Sequence, residues 1–193
     1  MRIKWIHRLV LLLGLCFWLV CSGQTVIAET SPPIEGGRLP EIVLQAPTDA
    51  GHQKILGLSN QPTFTIPQIS ASVVIIEIYS MYCPHCQKEA PRVNELYQKI
   101  LKSPKLKDQV RLIGIGVGNS KFEVDFFRKT YSVPFPLFSD GNFTIHKQLG
   151  EVRTPYFIGI KINPDKSHKI FYSKLGAFEN PDRFLEMVAK QLN

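Results

Sequence analysis

The sequence predicts an α/β domain with a mixed central sheet, helices on both faces and a short β-hairpin extension in front. Three observations carry this. Val73 to Tyr79 and Val110 to Val117 are runs apolar on both faces, broken only by Glu77 in the first and Arg111 in the second, as strands covered from both sides require. Each is followed by apolar residues at helical spacing. Tyr156 to Ile162 and Lys169 to Ser173 flank Asn163-Pro164-Asp165, a turn sequence, and read as a hairpin. The resulting order, β-α-β-α-β-β-α, needs a mixed sheet.

The elements follow in chain order. Leu39 to Leu44 and Lys54 to Leu58 are short strand candidates ahead of the main unit, and the Pro and Gly within them suggest edge positions. A helix starts after Val73 to Tyr79, at Cys83-Pro84. A proline is tolerated in a first turn because its missing N–H has no intrahelical partner there. Val93, Leu96, Tyr97, Ile100 and Leu101 form its buried stripe, and Pro91 is expected to kink it. Phe122, Val124, Phe126 and Phe127 mark the helix after Val110 to Val117, ending near Tyr131. Phe143 to Leu149 is a shorter helix. Pro181 opens a terminal helix that turns Phe184, Leu185, Val188 and Leu192 inward.

At 193 residues and 44% hydrophobic content, the chain is long enough for one domain with a real core and too short for two. Residues 1–28 read as a secretory leader. Arg2, Lys4 and Arg8 precede an apolar stretch from Leu9 to Val20, which is shorter than the ~18 residues or more of a spanning helix. Cleavage after Ala28, lipidation at Cys21, or retention as an anchor all place the domain outside the cytoplasm, in the periplasm or on a membrane facing it. Residues 29–37, with two prolines and two glycines, read as a linker, leaving 38–193 as the domain. Without the leader there are 20 basic and 16 acidic residues. This balance, and a lysine cluster at Lys99, Lys102, Lys105 and Lys107 with no interleaved aromatics, excludes a nucleic-acid surface. Both tryptophans, Trp5 and Trp18, lie in the leader, so the mature chain is expected to lack tryptophan fluorescence.

The chemistry is concentrated in Cys83-Pro84-His85-Cys86. The other two cysteines, Cys16 and Cys21, belong to the leader, so removal of the leader leaves a single pair, read as a redox-active dithiol and disulfide. Disulfide exchange needs an exposed thiolate to attack and a second sulfur nearby to resolve the mixed disulfide. At a helix start, Cys83 gains from unpaired N–H groups and the helix dipole, while Cys86 sits one turn deeper on the same face. His85 either adds positive charge or hydrogen bonds beside the thiolate, or is an exposed imidazole. Glu77 is a carboxylate in a buried strand, costly unless paired or protonated. It is placed to move the proton that Cys86 exchanges, unless it reaches solvent at the strand end.

Together these residues resemble the thioredoxin-like superfamily over about residues 38–193. Glu77 matches that family's buried acid, Pro91 its helix proline and Pro155 its cis-proline beside the active site. The resemblance thus implies a cis Thr154–Pro155 bond, although only about 5–6% of X–Pro bonds are cis. Ile76 to Cys86 looks like the active site of the periplasmic oxidase DsbA. Yet Pro155 lies 69 positions after Cys86, too near for the helical insertion of that group. The spacing, the N-terminal hairpin region and Cys86-Gln87-Lys88-Glu89-Ala90-Pro91 resemble the TlpA/ResA group of exported thiol–disulfide reductases. Glu89 matches a glutamate of that group, with a solvent-facing helix position as its alternative. Tyr82 replaces the usual tryptophan.

The resemblance implies a thiol–disulfide oxidoreductase that needs no cofactor, more as a reductase than an oxidase. Cys83 would attack, Cys86 resolve, and Glu77, His85 and Glu89 assist. Tyr82, Pro84, Thr154 and Pro155 would meet the substrate chain. Partners would be protein dithiols or disulfides and a membrane-embedded or periplasmic redox partner. No dimerisation domain precedes residue 38, which disfavours a dimeric isomerase, and a monomer is expected. Two other classes stay open. Ser80 and Cys83 half-match a peroxiredoxin nucleophile motif, but Ile76 stands where that motif has proline. Cys83, His85 and Cys86 supply three ligands for copper or another metal, short of a closed tetrahedral zinc site. Covalent haem needs a histidine where Gln87 stands.

Overall fold

The computed structural model describes residues 31–59, 61–178 and 180–192. The leader, with Cys16, Cys21, Trp5 and Trp18, lies outside the described residues. A five-stranded sheet forms the centre, in the order β5-β4-β3-β6-β7. Its strands are β3 (Val73–Tyr79), β4 (Val110–Val117), β5 (Leu137–Asp140), β6 (Tyr156–Ile162) and β7 (His168–Leu175). β3 runs parallel to β4, and β4 to β5, while β6 and β7 are antiparallel additions. All seven residues of β3 are buried, which explains a strand of Val and Ile with no polar face.

The two faces of β3 feed two cores. Val74, Ile76 and Ile78 pack with Ile113, Ile115, Ile158 and Ile160 beneath the N-terminal segment. Val73, Ile75 and Tyr79 meet α2 (Pro84–Lys102), α3 (Lys121–Thr130) and α5 (Pro181–Lys190). α1 (Ala50–Leu56) and α4 (Thr144–Gln148) cover the first face through Leu56 and Ile145. α2 turns Ala90, Val93, Leu96, Tyr97 and Ile100 inward, and burying each large side chain of that stripe contributes about 1.5–3 kcal/mol. Leu101, expected in the stripe, is exposed, as are Phe122 and Phe126 on α3.

The N-terminal segment departs from expectation. Lys54 to Leu58 is not a strand: Asp49 caps α1 by accepting the His52 N–H, and Gly57 ends it in the left-handed conformation at φ 64°. A Cβ on Gly57 would lie 2.3 Å from that of Ser70, so the turn demands glycine. β1 is Val43–Gln45, shorter than expected, and its antiparallel partner is β2 (Thr63–Thr65), which the sequence pattern did not reveal. β5 was also missed, being four residues between Pro136 and Gly141. Residues 36 and 37 run along β7, with the Gly36 N–H donating to the Ile170 carbonyl at 2.8 Å and the Ile170 N–H to Gly37 at 2.9 Å. Among the described residues, no helix is long and apolar enough to cross a membrane.

Candidate active site

The site forms where β3 ends and α2 begins. Cys83 is the N-cap of α2, with extended backbone at φ −87° and ψ 113°, and Pro84 is the first helical residue. Cys83 is partly exposed, whereas Cys86, one turn on, is fully buried against Val73, Ile75 and Tyr79. Antiparallel pairing of β3 with β6 sets Ile78 opposite Tyr156. This register carries the preceding Thr154–Pro155 bond, which is cis, up to the motif. The Cys83 thiol donates to the Thr154 carbonyl at 3.4 Å.

The two sulfurs are electrostatically distinct. Burial would raise the Cys83 thiol, but hydrogen bonds from the Thr154 side chain, from Cys86 through backbone and side chain, and from the His85 backbone outweigh it and hold the thiol below its ordinary value. Burial drives the Cys86 thiol far above its ordinary value, and the neighbouring Cys83 sulfur adds to this. The partly exposed sulfur is thus the more readily ionised of the two, and the buried one the less.

Two carboxyls are buried on the strand and helix that flank the motif. Glu77 is 2% exposed, and its Oε1 finds no hydrogen-bond partner among the described residues. Burial, then the Glu89 charge, raises its pKa from 4.5 to about 8. Glu89 is 4% exposed, not solvent-facing. One of its oxygens accepts the Phe178 N–H at 3.2 Å and the other faces Arg92 at 3.7 Å. Burial raises its pKa, while these two partners oppose the rise.

The structure therefore gathers Cys83, Cys86, Thr154 and Pro155, while Glu77 and Glu89 are buried on the flanking β3 and α2, close enough for the Glu89 charge to act on Glu77. His85 is exposed, and its ring makes no hydrogen bond among the described residues; it reaches Cys83 through its backbone N–H. Pro84 is exposed on the rim. Tyr82 is 65% exposed, with its hydroxyl donating to Glu123. Among the described residues, no group of three or more His, Cys, Asp or Glu side chains is gathered as for a metal ion.

Sequence reasoning missed the supports of the loop before Cys83. Asn119 is completely buried, and its Oδ1 accepts the Met81 N–H at 2.8 Å. Gln87 Nε2 donates to the Met81 carbonyl at 2.7 Å. The S-x-x-E pattern of Ser120 to Glu123, a capping-box signature, was legible and marks this corner.

The profile of the AhpC/TSA family matches residues 45–174, well over half of the chain. The chain belongs to the AhpC/TSA family. It is similar to the thiol-disulfide oxidoreductase ResA of Bacillus subtilis (strain 168), 28% identical over 139 residues that span 69% of this chain and 68% of that protein. Solved structures share the fold. StoA from Bacillus subtilis superposes with a TM-score of 0.54 at 21% identity, covering 78% of this chain and 99% of that one. A secreted thiol-disulfide isomerase from Corynebacterium glutamicum gives 0.57 at 18% identity, covering 80% and 85%. The chain has the thioredoxin-like fold of these structures, built here on a mixed five-stranded sheet and an N-terminal two-stranded ribbon.

Proposed function

We propose that the protein is an exported thiol–disulfide oxidoreductase that reduces disulfides in protein substrates. The observation that carries this is the asymmetry of the pair: a partly exposed Cys83 thiol at the α2 N-terminus, held low by hydrogen bonds from the Thr154 side chain and from Cys86 and His85, and a buried Cys86 thiol held high.

The Cys83 thiolate attacks one sulfur of a substrate disulfide. A mixed disulfide forms and the other substrate sulfur leaves as a thiolate. The cis Thr154–Pro155 segment lies alongside and offers backbone to the substrate chain. Cys86 then gives its proton to the carboxyl side of the site. Its sulfur attacks Cys83, closing the Cys83–Cys86 disulfide and releasing the reduced substrate. A pKa of about 8 suits Glu77 to accept and return that proton near neutral pH. A dithiol partner outside the cytoplasm restores the reduced pair by the reverse exchange; it would be membrane-embedded or periplasmic.

The reducing direction is read from the likeness of the segment Cys86 to Pro91 and of the surrounding frame to the TlpA/ResA group. Export rests on the leader of residues 1–28. In an insulin-reduction assay, wild type should turn over and Cys83→Ser should not; full activity in that variant would refute the assignment. Thiol alkylation in cells should find the pair reduced at rest, whereas a resting disulfide would mean an oxidase. Turnover of hydrogen peroxide at rates above disulfide exchange would favour the peroxidase class instead.

A further inference from the structure

One corner of the fold, the turn from β4 into α3, holds every residue between β3 and Cys83. Asn119 accepts the Met81 N–H at 2.8 Å and donates through Nδ2 to the Ser80 hydroxyl at 3.5 Å. The Tyr82 hydroxyl donates to Glu123, and Glu123 is itself fixed by the Ser120 N–H and hydroxyl, each at 2.6 Å. From below, β4 makes room with a glycine. A Cβ on Gly116 would stand 3.1 Å from both Asn119 Oδ1 and the Tyr79 hydroxyl. From the helix side, Gln87 takes the Met81 carbonyl.

A side-chain amide with no exposed surface is costly to bury unless its bonds are made. Asn119 spends both of its functions on the segment that presents the sulfur. We propose that Asn119 is a positioning residue for the attacking thiol. It fixes Ser80 to Tyr82 and so keeps Cys83 Sγ against its donors, the Thr154 side chain and the amides of the α2 N-terminus, with Tyr82–Glu123 as an outer brace. The stabilisation of a thiolate by such donors falls steeply with distance and angle. A loosened segment therefore lets the sulfur drift from them. This rests on reading Cys83 as the attacking sulfur.

The test is the pH profile of Cys83 alkylation by iodoacetamide in the reduced protein, followed by peptide mass spectrometry. It needs no substrate, so it is independent of whether disulfide exchange occurs. Asn119→Ala should move the midpoint upward and slow alkylation near neutral pH about fivefold. Should that variant fail to fold by circular dichroism, Gly116→Ala displaces the amide without deleting it and should slow alkylation about twofold in the same direction. Tyr82→Phe, which frees Glu123 but keeps the ring, should give a smaller shift of the same sign. Leu96→Ala, which loosens the α2 core away from the corner, should leave the midpoint in place. A folded Asn119→Ala or Gly116→Ala protein with the wild-type profile would overturn the proposal. So would a Leu96→Ala shift as large as theirs, since that would make the effect one of general stability.

Discussion

Glu77 shows what a single side chain imposes. Its folded pKa of about 8 lies above its ordinary 4.5. Below the ordinary value the carboxyl is neutral in folded and unfolded chains alike, and its contribution to stability is fully present. Between the two values the unfolded chain releases the proton while the folded chain keeps it, so stability falls as pH rises and levels off above about 8. Each pKa unit corresponds to about 1.4 kcal/mol, so the loss is on the order of several kcal/mol. Glu77→Gln should flatten this slope in urea unfolding compared between about pH 5 and about pH 8. An unchanged slope would place its source elsewhere. The same variant should slow resolution of the mixed disulfide. The odd carboxylate in an apolar run was legible from the sequence alone. Its missing hydrogen-bond partner and its coupling to Glu89 were not, because Glu89 comes from a different element and its burial depends on the Phe178 loop.

Elements read best where one force dominates. β3 and β4 were plain because both faces are apolar, and α2 because its stripe repeats at helical spacing. α1 was misread because seven residues carry too little periodicity. Its identity comes from the ends, Asp49 and Gly57, rather than from the run between them. β2 and β5, three and four residues long, owe their extension to pairing that only the folded chain provides. Two substitutions test these origins. Leu96→Ala deletes a fully buried part of the α2 stripe and should cost about 2–5 kcal/mol. Ser120→Ala removes the reciprocal cap of α3 and should cost about 1 kcal/mol. Both are read by urea unfolding, and a neutral Leu96→Ala would mean that the stripe does not anchor α2.

For the whole molecule, the decisive step is that the sheet brings distant segments together. Cys83 and Thr154 meet because β6 lies antiparallel to β3 in one register. Periodicity does not disclose that pairing. The resemblance to a known architecture placed Pro155 beside the motif, and the ladder supplies the physical cause. The Asn119 corner lay beyond both routes, since a lone asparagine after a strand reads as an ordinary turn residue. The proposed exchange requires separate duties of Cys83 and Cys86, one outward and one inward. Incubating the reduced Cys86→Ala protein with a disulfide-bonded substrate such as insulin, then resolving adducts by non-reducing gel and mass spectrometry, measures this directly. The expected result is a stable mixed disulfide through Cys83, with none formed by Cys83→Ala. Adducts through Cys86 in the Cys83→Ala protein, at comparable yield, would contradict it.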